Sequence, residues 1–445
     1  MFTQTIHRDK ISNRMGPPRT ISTLVIILTA MTICVVSGWS VLTPRCLPPG
    51  RILRGIATGS AAAVAIVGAG AAAVVAIDGM AKDVDGRRAV AAIYEPPSGS
   101  MDDRVVLVTG GSSGLGLETV KRLAAAGATV VLTSRTEAKG RRAVEVANDH
   151  LLRRGKLPTR GAIHNIVLDL DDLSDVMLVP SRYEALGLNR DISVLVNNAG
   201  VMAIPRREVT VDGNERTFQS NHLGHFVLTS ALFPYLSREG ARIVTVSSSA
   251  SYFAGPDGLD LDNINGERSY GAWPSYSSSK LANVLFTREL QRRADEAGLD
   301  WLAAATLHPG VVDTDLWRYV VGEERLARMK DGRDRLGSLA LGATRLFAKT
   351  PEEGASTQVY LAATSDAVVK GAFYEEMSVK ADLPWFAKDD AKAKALWDAS
   401  EELGRVRFDL TAAAATVGGA VADVDFSADE SSDASLVEDN DEDLE

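Results

Sequence analysis

A four-residue apolar run, Val105-Val106-Leu107-Val108, leads straight into a glycine-rich turn, Thr109-Gly110-Gly111-Ser112-Ser113-Gly114-Leu115-Gly116. A strand with no polar face is buried on both sides, which is the situation of strands in a parallel sheet covered by helices. The turn opens a helical pattern through Leu117 to Ala126. Similar apolar runs recur at Thr129–Thr133, Ile163–Leu168, Val194–Val196, Ile243–Val246 and Leu302–Leu307, each separated from the next by helical periodicity. Strand, turn and helix in repeated alternation predict an α/β fold: a single Rossmann-type doubly wound parallel sheet with helices on both faces, preceded by a hydrophobic leader.

The chain has 445 residues, a length that admits two or three domains or one large α/β domain with extensions. Its net charge of −10 is local, because residues 411–445 carry eleven acidic and no basic side chains. That tail reads as disordered and solvating. The near-neutral remainder gives no electrostatic case for nucleic-acid binding. Both cysteines, Cys34 and Cys46, precede the glycine turn, so the body has no disulfide, thiolate nucleophile or cysteine-based metal site. Of the six histidines only His222 and His225 are close in sequence, with no convincing carboxylate partner, and no metal site is expected. They read as packing groups.

Residues 1–100 form a leader and linker, 101–410 the catalytic domain and 411–445 the tail. Within the leader, 21–43 and 55–77 are uncharged and long enough to cross a bilayer as helices. Basic residues Arg8, Lys10, Arg14 and Arg19 favour a cytoplasmic N-terminus. The first reading is a membrane-anchored protein of the endoplasmic reticulum with its catalytic domain in the cytoplasm. The alternative is a signal peptide over 1–38 followed by a basic stretch, similar to a bipartite plastid leader.

Glycines spaced Gly110-x-x-x-Gly114-x-Gly116 between a strand and a helix permit a tight turn and close approach of backbone amides to a pyrophosphate, at the positive end of the helix. Gly110, Ser112, Ser113, Gly114, Leu115 and Gly116 are therefore candidate dinucleotide contacts. The second strand ends in Ser134-Arg135, where an acidic residue would hold an unphosphorylated ribose. With Ser134-Arg135 in that place no carboxylate repels a 2′-phosphate and Arg135 can bind one, so the expected cofactor is NADP(H). Farther on, Tyr276 and Lys280 stand four residues apart, one helical turn from each other. An ammonium beside a phenol lowers the phenol pKa and suits Tyr276 to proton transfer.

These residues, with Asp169-Leu170, Asn197-Asn198-Ala199-Gly200, Asn221, the serines after Val246 and Pro309-Gly310, resemble the short-chain dehydrogenase/reductase family. Asn221–Phe226, Ser279–Phe286, His308–Val312 and Thr350–Ala355 resemble its retinol dehydrogenase-like branch, and the likeness covers roughly 103–407. It implies Tyr276 as general acid/base, Lys280 as its pKa modulator and ribose contact, Ser248 as the carbonyl-polarising group, and Asn221 as support for a water linked to Lys280. Asp169 would contact the adenine, Asn197, Ala199 and Gly200 would line its ribose, Pro309-Gly310 would border the nicotinamide, and Leu170 is a further cofactor contact. Register leaves Ser247 and Ser249 open beside Ser248. The 28 residues from Ser248 to Tyr276 exceed the usual family spacing, as they do in this branch.

The implied activity is hydride transfer between NADP(H) and a lipophilic carbonyl or alcohol of retinoid, steroid or fatty-aldehyde type. Leu316, Trp317, Tyr319, Val320 and Val321 are candidates for an apolar lid or for helix packing. Alternatives are a plastid pigment-related reductase and a non-catalytic NADPH-sensing membrane or translocon-associated protein. A homo-oligomer is admissible.

Overall fold

A computed structural model describes residues 93–155, 163–313, 323–334 and 348–415. The leader spans, most of the acidic tail and the five lid candidates from Leu316 to Val321 lie outside the described residues. Among the described residues, no helix is long and apolar enough to cross a membrane.

Eight strands form one sheet: β1 (Val105–Val108), β2 (Thr129–Ser134), β3 (Ile163–Val167), β4 (Ile192–Asn197), β5 (Ala241–Val246), β6 (Leu302–His308), β7 (Phe373–Glu375) and β8 (Ser378–Val379). Their spatial order is β3-β2-β1-β4-β5-β6-β7-β8. Neighbours are parallel throughout except β7 with β8, which is antiparallel. The six longer strands are those that the apolar runs predict. β7 and β8, at three and two residues, are too short to show a period and were not foreseen.

Side-chain alternation along β1 sends Val105 and Leu107 to one face of the sheet and Val106 and Val108 to the other. The first face is packed by α3 (Gly224–Leu232), α4 (Ala272–Glu296) and α6 (Asp390–Gly404). Its core holds an aromatic cluster among aliphatic residues: Trp397 stacks on Phe408 at 5.0 Å and meets Phe226 edge-on at 5.0 Å. The second face carries α1 (Gly114–Ala125), α2 (Glu137–Arg153) and α5 (Ser356–Ala363), with a core mainly of Ala, Val and Leu. Small residues let these helices lie close. A Cβ at Gly140 of α2 would come within 2.1 Å of the Asn165 side chain on β3.

From β1 the chain winds outward through β2 and β3, then returns to β4 on the other flank of β1. This reversal is where doubly wound sheets bind ligands, in the crevice beyond the strand carboxyl ends. The segments leaving β1, β4, β5 and β6 are the glycine turn, Asn198–Gly200, Ser247–Ser249 and Pro309-Gly310. All four border one cleft of about 490 Å³.

Candidate functional site

At the first wall of the cleft, Gly110 and Gly114 take positive φ angles of 64° and 52°, a region costly for any residue with a Cβ. Gly116 is required by packing, because a Cβ there would lie 2.3 Å from the Gly110 carbonyl oxygen. The N-terminus of α1 has no side-chain cap from Ser113 and no acidic residue in its first turn. Its leading amides and the positive end of its dipole thus face the cleft without a competing anion, and fit a pyrophosphate. Thr109, just before the turn, is a hub. Its Oγ1 accepts the backbone N–H groups of Asn198 at 2.8 Å and Ala199 at 3.0 Å, fixing the end of β4 to the end of β1.

Arg135 reaches this wall at the end of β2 and is 39% exposed. Lys139 and Arg142, which the motif reading missed, line the cleft with it. With Ala143 and Val146 they occupy the i, i+3, i+4, i+7 face of α2, a spacing that helical periodicity could have found. The sequence reading expected no carboxylate near Arg135. The fold supplies two from the segment after β3: Asp169 at 3.8 Å and Asp171 at 3.7 Å. Both contacts are long. Asp171 is held more closely by Arg216 at 2.9 Å and by the Ser220 hydroxyl.

The far end of the cleft is buried. Tyr276 is 7% and Lys280 5% exposed, on the face of α4 turned to β5. Among the three consecutive serines, Ser248 is the one whose side chain acts on the Tyr276 phenol, pulling its pKa down. The Ser247 hydroxyl instead donates to the Lys280 carbonyl at 2.7 Å. The Lys280 ammonium donates to the Val246 carbonyl at 3.0 Å and lies 5.9 Å from the Tyr276 ring centre. Helical spacing predicts a phenol made more acidic by its lysine; in the fold, burial sets the direction instead. Desolvation pushes Tyr276 up to about 12, with the Ser248 side chain pulling the other way. Desolvation also drives Lys280 down to about 8.

Asn221 lies in a single π-helical stretch, Gln219–Leu223, a backbone form frequent at functional sites. Its side chain is fully engaged. Oδ1 accepts the Val201 N–H at 2.7 Å, and Nδ2 donates to the Val201 carbonyl at 3.0 Å and Ser279 Oγ at 2.9 Å. Gly200 leaves the room between this amide and the lysine: a Cβ there would sit 2.8 Å from Asn221 Oδ1 and 3.5 Å from Lys280 Nζ.

Other sequence-derived residues are spread more widely. Asn198, Ala199, Gly200, Leu170, Pro309 and Gly310 line the cleft. Asn197 does not turn its side chain there; its amide is buried and donates to Thr229 Oγ1 at 3.2 Å, while Asn198 takes the cleft position. Asp169 sits at the rim beside Arg135. His222 is packed among Phe218, Phe226 and Phe286, and burial holds it neutral with a pKa of about 3. His225, lowered to about 4 by burial, bridges the Asn221 carbonyl at 3.1 Å and Thr109 Oγ1 at 2.9 Å. Trp273, Met202 and His308 also line the cleft and were not singled out. Trp273 precedes Tyr276 by three residues, so its ring meets the tyrosine edge-on at 6.2 Å.

Comparison with known proteins agrees with this geometry. Residues 104–259 match the short chain dehydrogenase family model. The chain is 37% identical to mouse retinol dehydrogenase 14, over 68% of its own length and 86% of the relative's. It is 34% identical to human polyprenol dehydrogenase over 65% and 81% of the two chains. Identity is 32% to the chloroplastic short-chain dehydrogenase TIC 32 A of Brassica napus, over 67% and 87%. A crystal structure of an uncharacterized protein from Mycobacterium paratuberculosis superposes with a TM-score of 0.51 at 33% identity, covering 72% of this chain and all of that one. The chain is thus an oxidoreductase that belongs to the short-chain dehydrogenase/reductase family, with retinol dehydrogenases among its relatives.

Proposed function

We propose that this protein uses NADP(H) to interconvert a lipophilic carbonyl compound and its alcohol, with Tyr276 as general acid/base. The observation that carries the reading is the buried Tyr276, sharing the cleft lining with Ser248 and backed by Lys280, at one end of a cleft whose other end opens on the bare N-terminus of α1. When bound, the nicotinamide would supply the hydride; the chain's own residues supply orientation and a proton. A phenol held near 12 is protonated at neutral pH and so ready to donate to a substrate oxygen as negative charge develops there. Ser248 stabilises the same oxygen with a second hydrogen bond. Lys280, close to neutrality at about 8, can return a proton to Tyr276. Asn221 holds the Val201 backbone and Ser279 in register beside that pair.

Arg135, Lys139 and Arg142 support the choice of NADP(H), since three cations on one rim suit a 2′-phosphate. Val201, Met202, Trp273, Val311 and Val312 give the catalytic end an apolar lining. That lining, with relatives named for retinol and polyprenol, supports a long apolar alcohol or aldehyde as substrate. The leader would anchor the catalytic domain, residues 101–410, to the endoplasmic reticulum membrane. The chloroplastic relative favours plastid targeting as a second reading, and imaging of residues 1–100 fused to a fluorescent protein separates the two. The functional test is NADPH consumption with a panel of lipophilic aldehydes and ketones. Wild-type turnover should fall about 10³-fold in Tyr276→Phe, within the range for a lost general acid. Equal rates in the two proteins would remove Tyr276 from the chemistry.

A further inference from the structure

We propose that His308 is a positioning residue that fixes the distance between the serine segment and the nicotinamide border; this rests on the roles assigned above to Ser248 and Pro309-Gly310. His308 is the last residue of β6, is 4% exposed and borders the cleft. Two backbone amides from different segments converge on its Nδ1: Ser249 N–H at 3.1 Å and Gly310 N–H at 3.4 Å. A backbone amide can only donate, so Nδ1 must present its lone pair, and the neutral ring carries its proton on Nε2. One ring nitrogen thereby joins the residue after Ser248 to the residue after Pro309.

Ser248 is otherwise held only by its own turn, its carbonyl accepting the Ser251 N–H at 3.0 Å. Its own side chain accepts only a short-range bond, from the Ala250 N–H at 3.2 Å. Its position is set by its neighbours. On one side, Ser247 donates its N–H to the Leu307 carbonyl at 2.7 Å and its hydroxyl to the Lys280 carbonyl at 2.7 Å. On the other side the Ser249 amide, in a residue 3% exposed, is held by His308. Losing that acceptor would leave a buried amide unsatisfied and free one flank of Ser248 to shift. A displacement of about 1 Å in a group aligned on the reacting centre costs on the order of 100-fold in rate.

The test uses the full-length chain with three substitutions at this position. Leucine keeps bulk and removes the acceptor. Asparagine places an oxygen about where Nδ1 lies, and glutamine extends past it. His308→Leu should lower kcat roughly 30- to 100-fold while the NADPH dissociation constant changes less than about threefold, because most nucleotide contacts lie at the other wall. His308→Asn should recover kcat to within about fivefold of wild type, and His308→Gln should resemble the leucine variant. Wild-type kcat in His308→Leu, or an asparagine variant as impaired as the leucine one, would overturn the proposal. Long-range ¹⁵N–¹H spectra of the histidine rings, assigned with the asparagine variant, provide a readout that needs no turnover. They should show His308 protonated at Nε2, and a proton on Nδ1 at neutral pH overturns the proposal by itself. A wild-type chain inert toward every carbonyl would sink the functional reading above, leaving the ring spectra to decide His308 separately.

Discussion

The two ends of the cleft follow opposite electrostatic designs. At the end proposed for adenosine, Arg135 is 39% exposed and meets Asp169 and Asp171 only at 3.8 and 3.7 Å. Lys139 and Arg142 line the same rim. Charges so placed are screened by water and tolerate imprecise geometry. At the catalytic end, Tyr276, Lys280, Asn221 and His308 are all at most 7% exposed, and their hydrogen bonds mostly lie between 2.7 and 3.1 Å. Desolvation there moves both titrating groups toward their neutral forms. One end presents exposed charge. The other holds buried titratable groups in a dry, over-determined lattice at a cost in stability.

Lys280 tests that contrast most severely. Lys280→Met should lower turnover at least about 100-fold, as loss of a proton-transfer partner does. The same substitution should stabilise the nucleotide-free protein by about 1–3 kcal/mol, since it removes a buried charge without stranding its acceptor. The Val246 carbonyl would keep the Asn283 amide at 3.1 Å. The sign follows from linkage. Lys280 titrates at about 8 when folded, below its ordinary 10.5, so its cost is fully present below pH 8 and fades as pH rises toward 10.5. Urea unfolding at pH 7 and pH 10 should therefore show the gap between variant and wild type shrinking at the higher pH. A gap that is constant, or a destabilised variant, would mean that the buried ammonium is not the costly element.

Arg135 probes the opposite end and a smaller effect. Arg135→Ala should weaken NADPH binding about tenfold and NADH binding less than about threefold, in keeping with one charge-assisted contact discounted for solvent exposure. Its kcat at saturating NADPH should be unchanged. Equal losses for the two nucleotides, measured by titrating nicotinamide fluorescence, would mean that the rim reads no 2′-phosphate.

Sequence made the fold legible because a parallel strand buried on both faces carries a continuous apolar run, as β1, β2 and β4 to β6 do, whereas edge strand β3 interrupts its run with His164 and Asn165. Tyr276, Lys280 and the glycine turn can be picked out as candidates because each pattern is local, within a helical turn or one loop. What stayed hidden depends on contacts distant in the chain. The Asp169 and Asp171 carboxylates reach Arg135 only through the β2–β3 pairing. Asn197 and Asn198 are equivalent on paper, yet strand alternation buries one against Thr229 and turns the other to the cleft. The elevated Tyr276 pKa reflects burial, which a spacing argument does not contain. His308 reads in sequence only as part of a motif, and its contact with the Ser249 amide is visible once β5 and β6 are paired.

The mildest test concerns Lys139 and Arg142, which share a helical face and one rim with Arg135. If that rim acts as a diffuse cationic field, each should add a modest increment rather than a specific bond. Lys139→Ala is expected to weaken NADPH binding about twofold to threefold, and raising the salt from 50 to 500 mM should erase most of the difference from wild type, because exposed charges are screened within about 10 Å at 0.1 M. Arg135→Ala should keep more of its deficit at high salt if its planar guanidinium makes a directed contact. An identical salt response in the two variants would erase the distinction within the rim while leaving the contrast between the two ends of the cleft intact. A Lys139→Ala effect as large as that of Arg135→Ala, and insensitive to salt, would instead show that the adenosine end contains a second directed contact and is built more like the catalytic end than its exposure suggests.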